Sequence, residues 1–403
     1  MRIIEARVIV CSPGRNFVTL KIVTDDGVVG WGDATVNGRE LSVASYLRDH
    51  VVPLLIGRDA RRIEDTWHYL YKGSYWRRGP ITMAAISAVD IALWDIAAKT
   101  AGVPLYQLLG GASRERIRAY GHAHGSDIQQ LLDSVQQCVE QGFTAVRIQS
   151  GVPGLRSTYG VGSGLDGRYE PADGPAPAEE EWDSSSYIRS LPKVFAAVRE
   201  RFGDELDVLH DVHHRLTPIE AAGLAKQIEE FRPFWMEDPI PADNPEGLRI
   251  VRSRTTVPLA TGEVLNSIQD YRILLGEQLI DYIRSAVSHS GGVTAVRKLV
   301  DFGALSQARS AFHGPTDISP IGFAAALHLD MAIQNFGIQE FMPRSKLTLE
   351  AFPHAYHFID GYLMPGDEPG LGVSLDEIIA ATYEYTPAYL PVNRLKDGTI
   401  HDW

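Results

Sequence analysis

The sequence predicts an α/β protein: a parallel (β/α) barrel preceded by a smaller α+β unit. Three observations carry that prediction. Between residues 117 and 345 short apolar runs recur at one supersecondary period, and each is followed by a helical pattern. The first 116 residues lack that alternation and read as a mixed unit of strands and helices. The chain has 403 residues, a length that suits one large barrel with an accessory domain. Hydrophobic residues make up 44% and charged residues 22%, as in a well-packed globular protein, which excludes wholesale disorder.

The elements follow in order. Ile3 to Ile9 and Phe17 to Val23 read as two short strands, with Ser12-Pro13-Gly14 as the turn between them. Leu41, Ala44, Leu47, Val51 and Leu54–Leu55 follow helical spacing. A second helix is expected from about Thr82 to Lys99, stopped by Gly102 and Pro104. Asp90 and Asp95 interrupt its apolar surface, so it reads as amphipathic. The eight candidate barrel strands are Ile117–Tyr120, Phe143–Ile148, Leu206–Leu209, Phe234–Met236, Leu259–Ala260, Tyr282–Ile283, Ala311–Phe312 and Ile338–Phe341. Residues 151–184 interrupt the period with a Gly- and Pro-rich insertion, read as a functional lid against the blander alternative of a tolerated surface loop. Pro365-Gly366-Asp367-Glu368-Pro369-Gly370 marks a linker. The expected organisation is therefore a capping unit at 1–116, a barrel at 117–364 and a segment at 365–403 that returns to pack on the first unit and the site.

Charge bounds the partners. With 38 basic and 51 acidic side chains the net charge is −13, which disfavours nucleic acid and anionic lipid as general partners. An anionic substrate would need a local positive pocket or a metal. Two cysteines, Cys11 and Cys138, are too few for a disulfide framework or a thiolate cage. The N-terminus, Met1-Arg2-Ile3-Ile4-Glu5-Ala6-Arg7, does not read as a signal peptide, and no apolar run is expected to approach the ~20 residues of a membrane span. A cytoplasmic protein is the expectation.

The chemistry is read at the strand ends. Asp211, Glu237 and Glu263 each close an apolar run, and both intervals between them are 26 residues, one β–α unit. In a parallel barrel the C-terminal strand ends share the face that carries the active site. Three acids there repel one another unless a cation neutralises them. All-oxygen ligation suits Mg²⁺, one per subunit, with positions left for substrate oxygens. For one acid alone, an N-cap of the following helix is the simpler reading; three at equal spacing favour the metal. His122, Arg147, Gln149, Arg284, His313 and Glu340 end other strands. His213, two residues past Asp211, is expected to share its direction by strand alternation, while His210 and His214 are read as structural. A His-based zinc site is the competing reading of residues 210–214.

These residues carry a resemblance to the enolase superfamily. Its marks are the capping unit, the three acids on consecutive strands, Ala88-Val89-Asp90-Ile91-Ala92-Leu93-Trp94-Asp95 continuing to Leu108-Leu109-Gly110-Gly111, and Pro369-Gly370-Leu371-Gly372-Val373. The resemblance implies a modified (β/α)7β barrel and Mg²⁺-assisted removal of a proton next to a carboxylate. Within the superfamily the chain resembles the D-mannonate dehydratases through Arg147, the insertion with Tyr159, Asp211-Val212-His213-His214-Arg215, His313-Gly314-Pro315-Thr316-Asp317 and the terminal Asp402-Trp403. That likeness implies dehydration of D-mannonate to 2-keto-3-deoxy-D-gluconate, with metal ligands Asp211, Glu237 and Glu263. It implies substrate contacts from Asn37, His122, Arg284, His313, Asp317, Glu340 and Trp403, and a homo-oligomer.

Departures from the wider superfamily shape the expected mechanism. Many relatives place a lysine base at the end of the second strand. Here that place reads Arg147-Ile148-Gln149, and arginine stays protonated. Others use a His–Asp dyad, but here the sixth strand ends in Arg284, which suits His313 to a hydrogen bond. Tyr159 in the insertion is the candidate base; without the resemblance, a plain lid aromatic is the simpler reading of it. A cation such as Arg147 lowers a neighbouring pKa by roughly 1–3 units, which would leave a working fraction of phenolate. In the expected reaction Tyr159 with Arg147 takes the C2 proton and imidazolium His213 protonates the departing C3 hydroxyl. Two rival expectations remain: a dehydratase preferring another epimer such as D-gluconate, and a non-catalytic sugar-acid-binding regulator.

Overall fold

The computed structural model describes residues 1–155 and 179–402. Strands β1 (Ile3–Cys11), β2 (Phe17–Thr24) and β3 (Val29–Asp33) form an antiparallel sheet in that order. Helices α1 (Glu40–Tyr46), α2 (Val52–Leu55), α3 (Ile63–Gly73), α4 (Pro80–Ala101) and α5 (Leu105–Leu108) complete the cap. β3 was not expected from the sequence. Its Gly30 and Gly32 explain both its weak signal and its place. A Cβ on either would collide with the carbonyl oxygens of Ala92 and Ala88, so α4 can lie on this strand only where side chains are missing.

α4 corrects two expectations. It is long and apolar enough to cross a membrane by length and composition, and it is not amphipathic. It is buried along most of its length, between the cap sheet and the barrel. Its two acids are anchor points. Asp95 accepts from Trp31 N (3.1 Å), Leu371 N (2.9 Å) and Lys99 Nζ (2.6 Å), and Asp90 accepts from Thr294 N (2.9 Å). Left-handed Gly102 (φ +69°) ends the helix, as its position predicts.

The barrel runs β4 (Ile117–Gly125), α6 (Ile128–Glu140), β5 (Ala145–Ser150), then β6 (Glu179–Trp182) at the edge of the insertion. It continues α7 (Ser184–Phe202), β7 (Asp207–Asp211), α8 (Pro218–Ile228), β8 (Trp235–Glu237), α9 (Leu248–Arg252) and β9 (Leu259–Thr261). It ends α10 (Tyr271–Gly276), β10 (Tyr282–Ile283), α11 (Gly292–Leu305), β11 (Arg309–Ser310), α12 (Pro320–Ala332) and β12 (Gln339–Glu340). Parallel pairing links β4, β5, β7, β8, β9, β10 and β11 in turn, and β12 returns to β4 through Gln339↔Ala119 and Glu340↔Tyr120. The bridge Ser310↔Phe336 joins the last gap. Leaving out β6, eight strands and seven helices alternate, which is the (β/α)7β arrangement.

One residue from each strand or its end fills the interior: Tyr120, Ala145, Leu209, Trp235, Ala260, Tyr282, Ala311 and Ile338. Three aromatics stand among three alanines, a leucine and an isoleucine, and Trp235 meets Tyr120 edge-on and Tyr282 at a tilt (centroids 5.5 and 5.0 Å). This layer is a solid floor across the barrel.

The rest of the chain ties cap to barrel. It comprises α13 (Lys346–Ala351), β13 (His357–Ile359), β14 (Tyr362–Met364), α14 (Glu377–Ala380), β15 (Val392–Leu395) and β16 (Ile400–His401). Glu377 pairs with Arg7 and with Lys21 Nζ (2.6 Å), and Ser12 N donates to Tyr383 O (3.0 Å). The insertion has more pattern than expected. Its end, β6, pairs in parallel with β15 from Val392↔Glu179 to Leu395↔Trp182.

Candidate active site

The site is built by a two-residue step above the floor. Along a strand, side chains two apart share a face. Tyr120 is thus followed by His122, Ala145 by Arg147, Leu209 by Asp211, Trp235 by Glu237, Tyr282 by Arg284, Ala311 by His313 and Ile338 by Glu340. β9 breaks the rule, because Ala260 is followed two positions on by Gly262. Gly262 has φ +140° and re-aims the backbone so that the next residue, Glu263, reaches the site.

The acids meet as two linked groups. Ligand atoms of Asp211, Glu237 and Asp238 lie within 4.8 Å of one another, and so do those of His214, Asp238 and Glu263. None of the three expected acids caps a helix. Thr217 caps α8 in a reciprocal box with Glu220, Gly247 precedes α9 and Asp270 precedes α10. Asp211 Oδ2 accepts from Arg147 Nη1 (2.9 Å), while its buried Oδ1 accepts no hydrogen bond. Glu237 Oε1 accepts from Arg284 Nε (2.5 Å) and its Oε2 from Trp235 Nε1 (3.0 Å). Glu263 has His213 Nε2 at 3.5 Å on Oε1 and His313 Nε2 at 3.4 Å on Oε2. Glu340 Oε2 accepts from Arg284 Nη2 (2.8 Å) and from Gly314 N (2.8 Å), and its Oε1 stands 2.9 Å from His122 Nε2.

Burial and neighbouring charge divide these groups. Burial drives Glu237 well above the usual carboxylate range, against the pull of Arg284. Burial raises Asp238 in the same way. Burial also pushes Glu263 and Glu340 upward, but their neighbours outweigh it: His313, His213 and Arg284 around the first, and the Arg284 charge with the hydrogen bond from His122 at the second. Both are held well below the ordinary range. Burial, helped by the Arg147 charge, lowers His122 to about 4. His122 is therefore neutral near pH 7 and suits hydrogen bonding, not proton donation.

A cavity of about 460 Å³ opens above this cluster. Arg147, His122, His213, His313, Glu263 and Glu340 line it from the barrel, and Asn37 and Arg15 from the cap. Asp317 joins them, with Asn37 Nδ2 3.4 Å from its Oδ2. Asp211, Glu237 and Arg284 are fully buried and do not line the cavity. Arg284 was expected to touch substrate; its guanidinium lies beneath the cavity and is spent on Glu237, Glu340 and the Ala311 carbonyl (2.9 Å). Tyr159 and Trp403 lie outside the described residues.

Three histidines refine the sequence reading. His210 is structural as expected, hydrogen-bonded through Nε2 to Tyr187 Oη (2.5 Å) and through Nδ1 to Ile148 O (2.9 Å). His213 reaches the site by a different route from the one expected. β7 ends at Asp211, and left-handed backbone at His213 (φ +57°) and His214 (φ +64°) turns the chain inward. His214 was read as structural, yet it lines the cavity and belongs to an acid group. Asp238, Arg15, His124 and His289 were not singled out in the sequence. Only His124 follows the two-residue step, continuing Tyr120 and His122 along β4.

Comparison with known proteins agrees with this architecture. Residues 130–379 match the family described as enolase C-terminal domain-like, and residues 10–110 match the mandelate racemase / muconate lactonizing enzyme N-terminal domain. The chain is thus an enolase-superfamily protein with the capping and barrel domains of that class. A protein of Halomonas elongata named D-galactonate dehydratase family member RspA is 59% identical over the full length of both chains. A Sphingomonas protein named D-mannonate dehydratase is 58% identical, also over the full length of both. Among solved structures, an enolase from Pantoea ananatis with bound D-gluconate and Mg superposes with a TM-score of 0.92 at 36% identity, covering both chains completely. An enolase from Agrobacterium radiobacter, a putative galactarate dehydratase holding Na and L-malate, gives 0.86 at 26% identity, again over both whole chains. The protein belongs to the D-mannonate dehydratase family of the enolase superfamily and is an acid-sugar dehydratase, a lyase.

Proposed function

We propose that this protein dehydrates D-mannonate to 2-keto-3-deoxy-D-gluconate with one Mg²⁺ per subunit. The observation that carries the proposal is the pair of linked acid groups under a polar cavity, with Arg147 on Asp211 and His213 on Glu263. The donor set fits a hard divalent cation. Asp211, Glu237 and Glu263 offer oxygen, and the orphaned Asp211 Oδ1 is a buried acceptor with no donor. When bound, the cation supplies positive charge that stabilises the enediolate developing at the substrate carboxylate.

The chain's own residues do the rest. Tyr159, as a phenolate favoured by the Arg147 charge, would accept the C2 proton. The electron pair of that C–H bond passes to the carboxylate as an enediolate, and when it returns the C2–C3 double bond forms and the C3–O bond breaks. His213, as imidazolium, gives its proton to the departing hydroxyl, which leaves as water. The enol then tautomerises to the 2-keto acid. His122 and Glu340 hold substrate hydroxyls from one side and His313 from another, while Asn37 and Asp317 close the mouth over the distal end.

A D-gluconate preference is the second reading, supported by the gluconate-bound Pantoea ananatis enolase. The two epimers differ at C2, the carbon that loses its proton, so the contacts that orient that carbon decide between them. The test is a panel of aldonic acids assayed for 2-keto acid with and without a chelator. D-mannonate should turn over, a chelator should abolish the activity, and added Mg²⁺ should restore it. Absence of 2-keto acid from every aldonate would overturn the proposal.

A further inference from the structure

We propose that the loop between α3 and α4 docks into a second cavity at the barrel rim of another copy of this chain, so that two copies exchange loops across a two-fold axis. The loop reads Ser74-Tyr75-Trp76-Arg77-Arg78-Gly79. Tyr75 is 78% and Trp76 83% exposed, and their rings meet edge-on (centroids 5.1 Å). Trp, Tyr and Arg in immediate succession are the composition of interface centres, where a few such residues supply most of the binding energy. The backbone holds the rings out at a cost. Tyr75 (φ +52°) and Arg78 (φ +75°) occupy the left-handed region, which bulky side chains avoid and which persists where function requires it. Both ends of the loop are fixed: Arg78 pairs with Asp270 in the connection from β9 to α10, and Pro80 opens α4 directly after Gly79. A loop held in this way loses little freedom on docking.

The receiving cavity lies beside the same ion pair, because Asp270 lines it. It holds about 620 Å³. Pro239, Pro241, Pro245 and Leu248 give it apolar walls, which suit flat rings. Asp243 and Asp402 stand exposed along it, with no ion pair to another described residue, and they suit arginine. The exposure of Trp76 shows that its ring does not fill the cavity of its own chain. A chain of net charge −13 repels its own copies unless a basic patch faces acids, and Arg77 opposite Asp243 and Asp402 meets that condition. A second copy is the occupant that uses both features at once. Loop and cavity adjoin on one chain, and across a two-fold axis a surface that carries both halves of a contact is satisfied twice. Val264 and Asn266 line this cavity and the reaction cavity alike, so the partner's loop backs onto the wall of the reaction cavity.

Disulfide trapping in the full chain tests the contact. Trp76→Cys and Ala242→Cys are placed in separate chains and co-expressed, so that only a contact between copies can join them. The native Cys11 and Cys138 are buried and do not compete. Mild oxidation should link the two variants into a dimer that a reducing agent separates. Leu305→Cys, an equally exposed position on α11, should not link to Ala242→Cys. Sedimentation gives the second readout. Wild type should run as a dimer or a multiple of one at micromolar concentration, and Trp76→Glu should raise the dissociation constant by roughly a hundredfold or more, since each dimer loses two rings. A monomeric wild type, no link between the two variants, or a Trp76→Glu assembly as tight as wild type would each overturn the proposal. Neither readout involves turnover, so its failure leaves the proposed dehydration standing.

Discussion

Replacing Asp90 with asparagine should change how the stability of this protein depends on pH. Asp90 sits in the middle of α4, buried in the seam between cap and barrel, where its Oδ2 accepts from Thr294 N (2.9 Å) at the start of α11. Burial pushes its carboxyl from the ordinary 3.8 up to about 7, and the bonds from Thr294 only partly resist. The folded protein thus holds the proton more tightly than the unfolded chain does. The stability contributed by that proton is fully present below about pH 4 and is lost as pH rises toward 7. Three pH units at about 1.4 kcal/mol each give a loss of about 4 kcal/mol over that window. Asparagine keeps an acceptor for Thr294 N and cannot ionise. Its amide hydrogens would occupy the place of Oδ1, which accepts no hydrogen bond, at a pH-independent cost of about 1–3 kcal/mol. The readout is therefore the slope and not the level. Urea unfolding of both proteins from pH 4.5 to 8.5 should show Asp90→Asn gaining on wild type by several kcal/mol as pH rises. Parallel curves would refute the reasoning, because they would mean that Asp90 loses its proton in the folded protein as easily as in the unfolded chain.

Other expectations concern the site directly. Arg284→Met removes the partner of two buried glutamates and should destabilise the protein by about 3–5 kcal/mol in thermal unfolding, with Arg284→Lys milder because it keeps the charge and loses the fork; a loss below about 1 kcal/mol in Arg284→Met would show that Glu237 and Glu340 do not need it. His213→Asn should lower 2-keto acid formation by about 10²–10⁴-fold while solvent deuterium still enters at C2, since only the proton donor is gone; undiminished turnover rules out the acid assignment. Tyr159→Phe should abolish both deuterium exchange and turnover with Mn²⁺ affinity unchanged, and undiminished turnover would remove tyrosine as the base.

The barrel and most of its site were legible because both follow from one period. Eight apolar runs mark strands, and on seven of them a polar site residue falls two steps past an inward-facing side chain, as Leu209–Asp211 and Trp235–Glu237 illustrate. What sequence reasoning missed breaks that period. Asp238 and His214 reach the site through left-handed backbone at residues that are not glycine, and nothing local announces such a turn. The Pro239 that follows Asp238 would suggest extended backbone there instead. Glu263 was found by its 26-residue spacing and not by alternation, and Gly262 is the only local sign of the turn that delivers it. β3 was hidden because the glycines that admit α4 also erase its strand signature. Arg284 was found at the right strand end, but its direction could not be read. Whether such a guanidinium faces substrate or carboxylates depends on Glu237 and Glu340, which are 47 and 56 residues away in sequence.

The packed layer of Tyr120, Trp235 and Tyr282 has a consequence for traffic. Rings plug the underside of the cavity, and among the described residues Asn37 and Arg15 stand on its cap side. Traffic of sugar acid and product is thereby kept to the cap side of the floor. A sugar acid therefore meets cap and barrel side chains together as it arrives, and the floor gives it no way through the barrel.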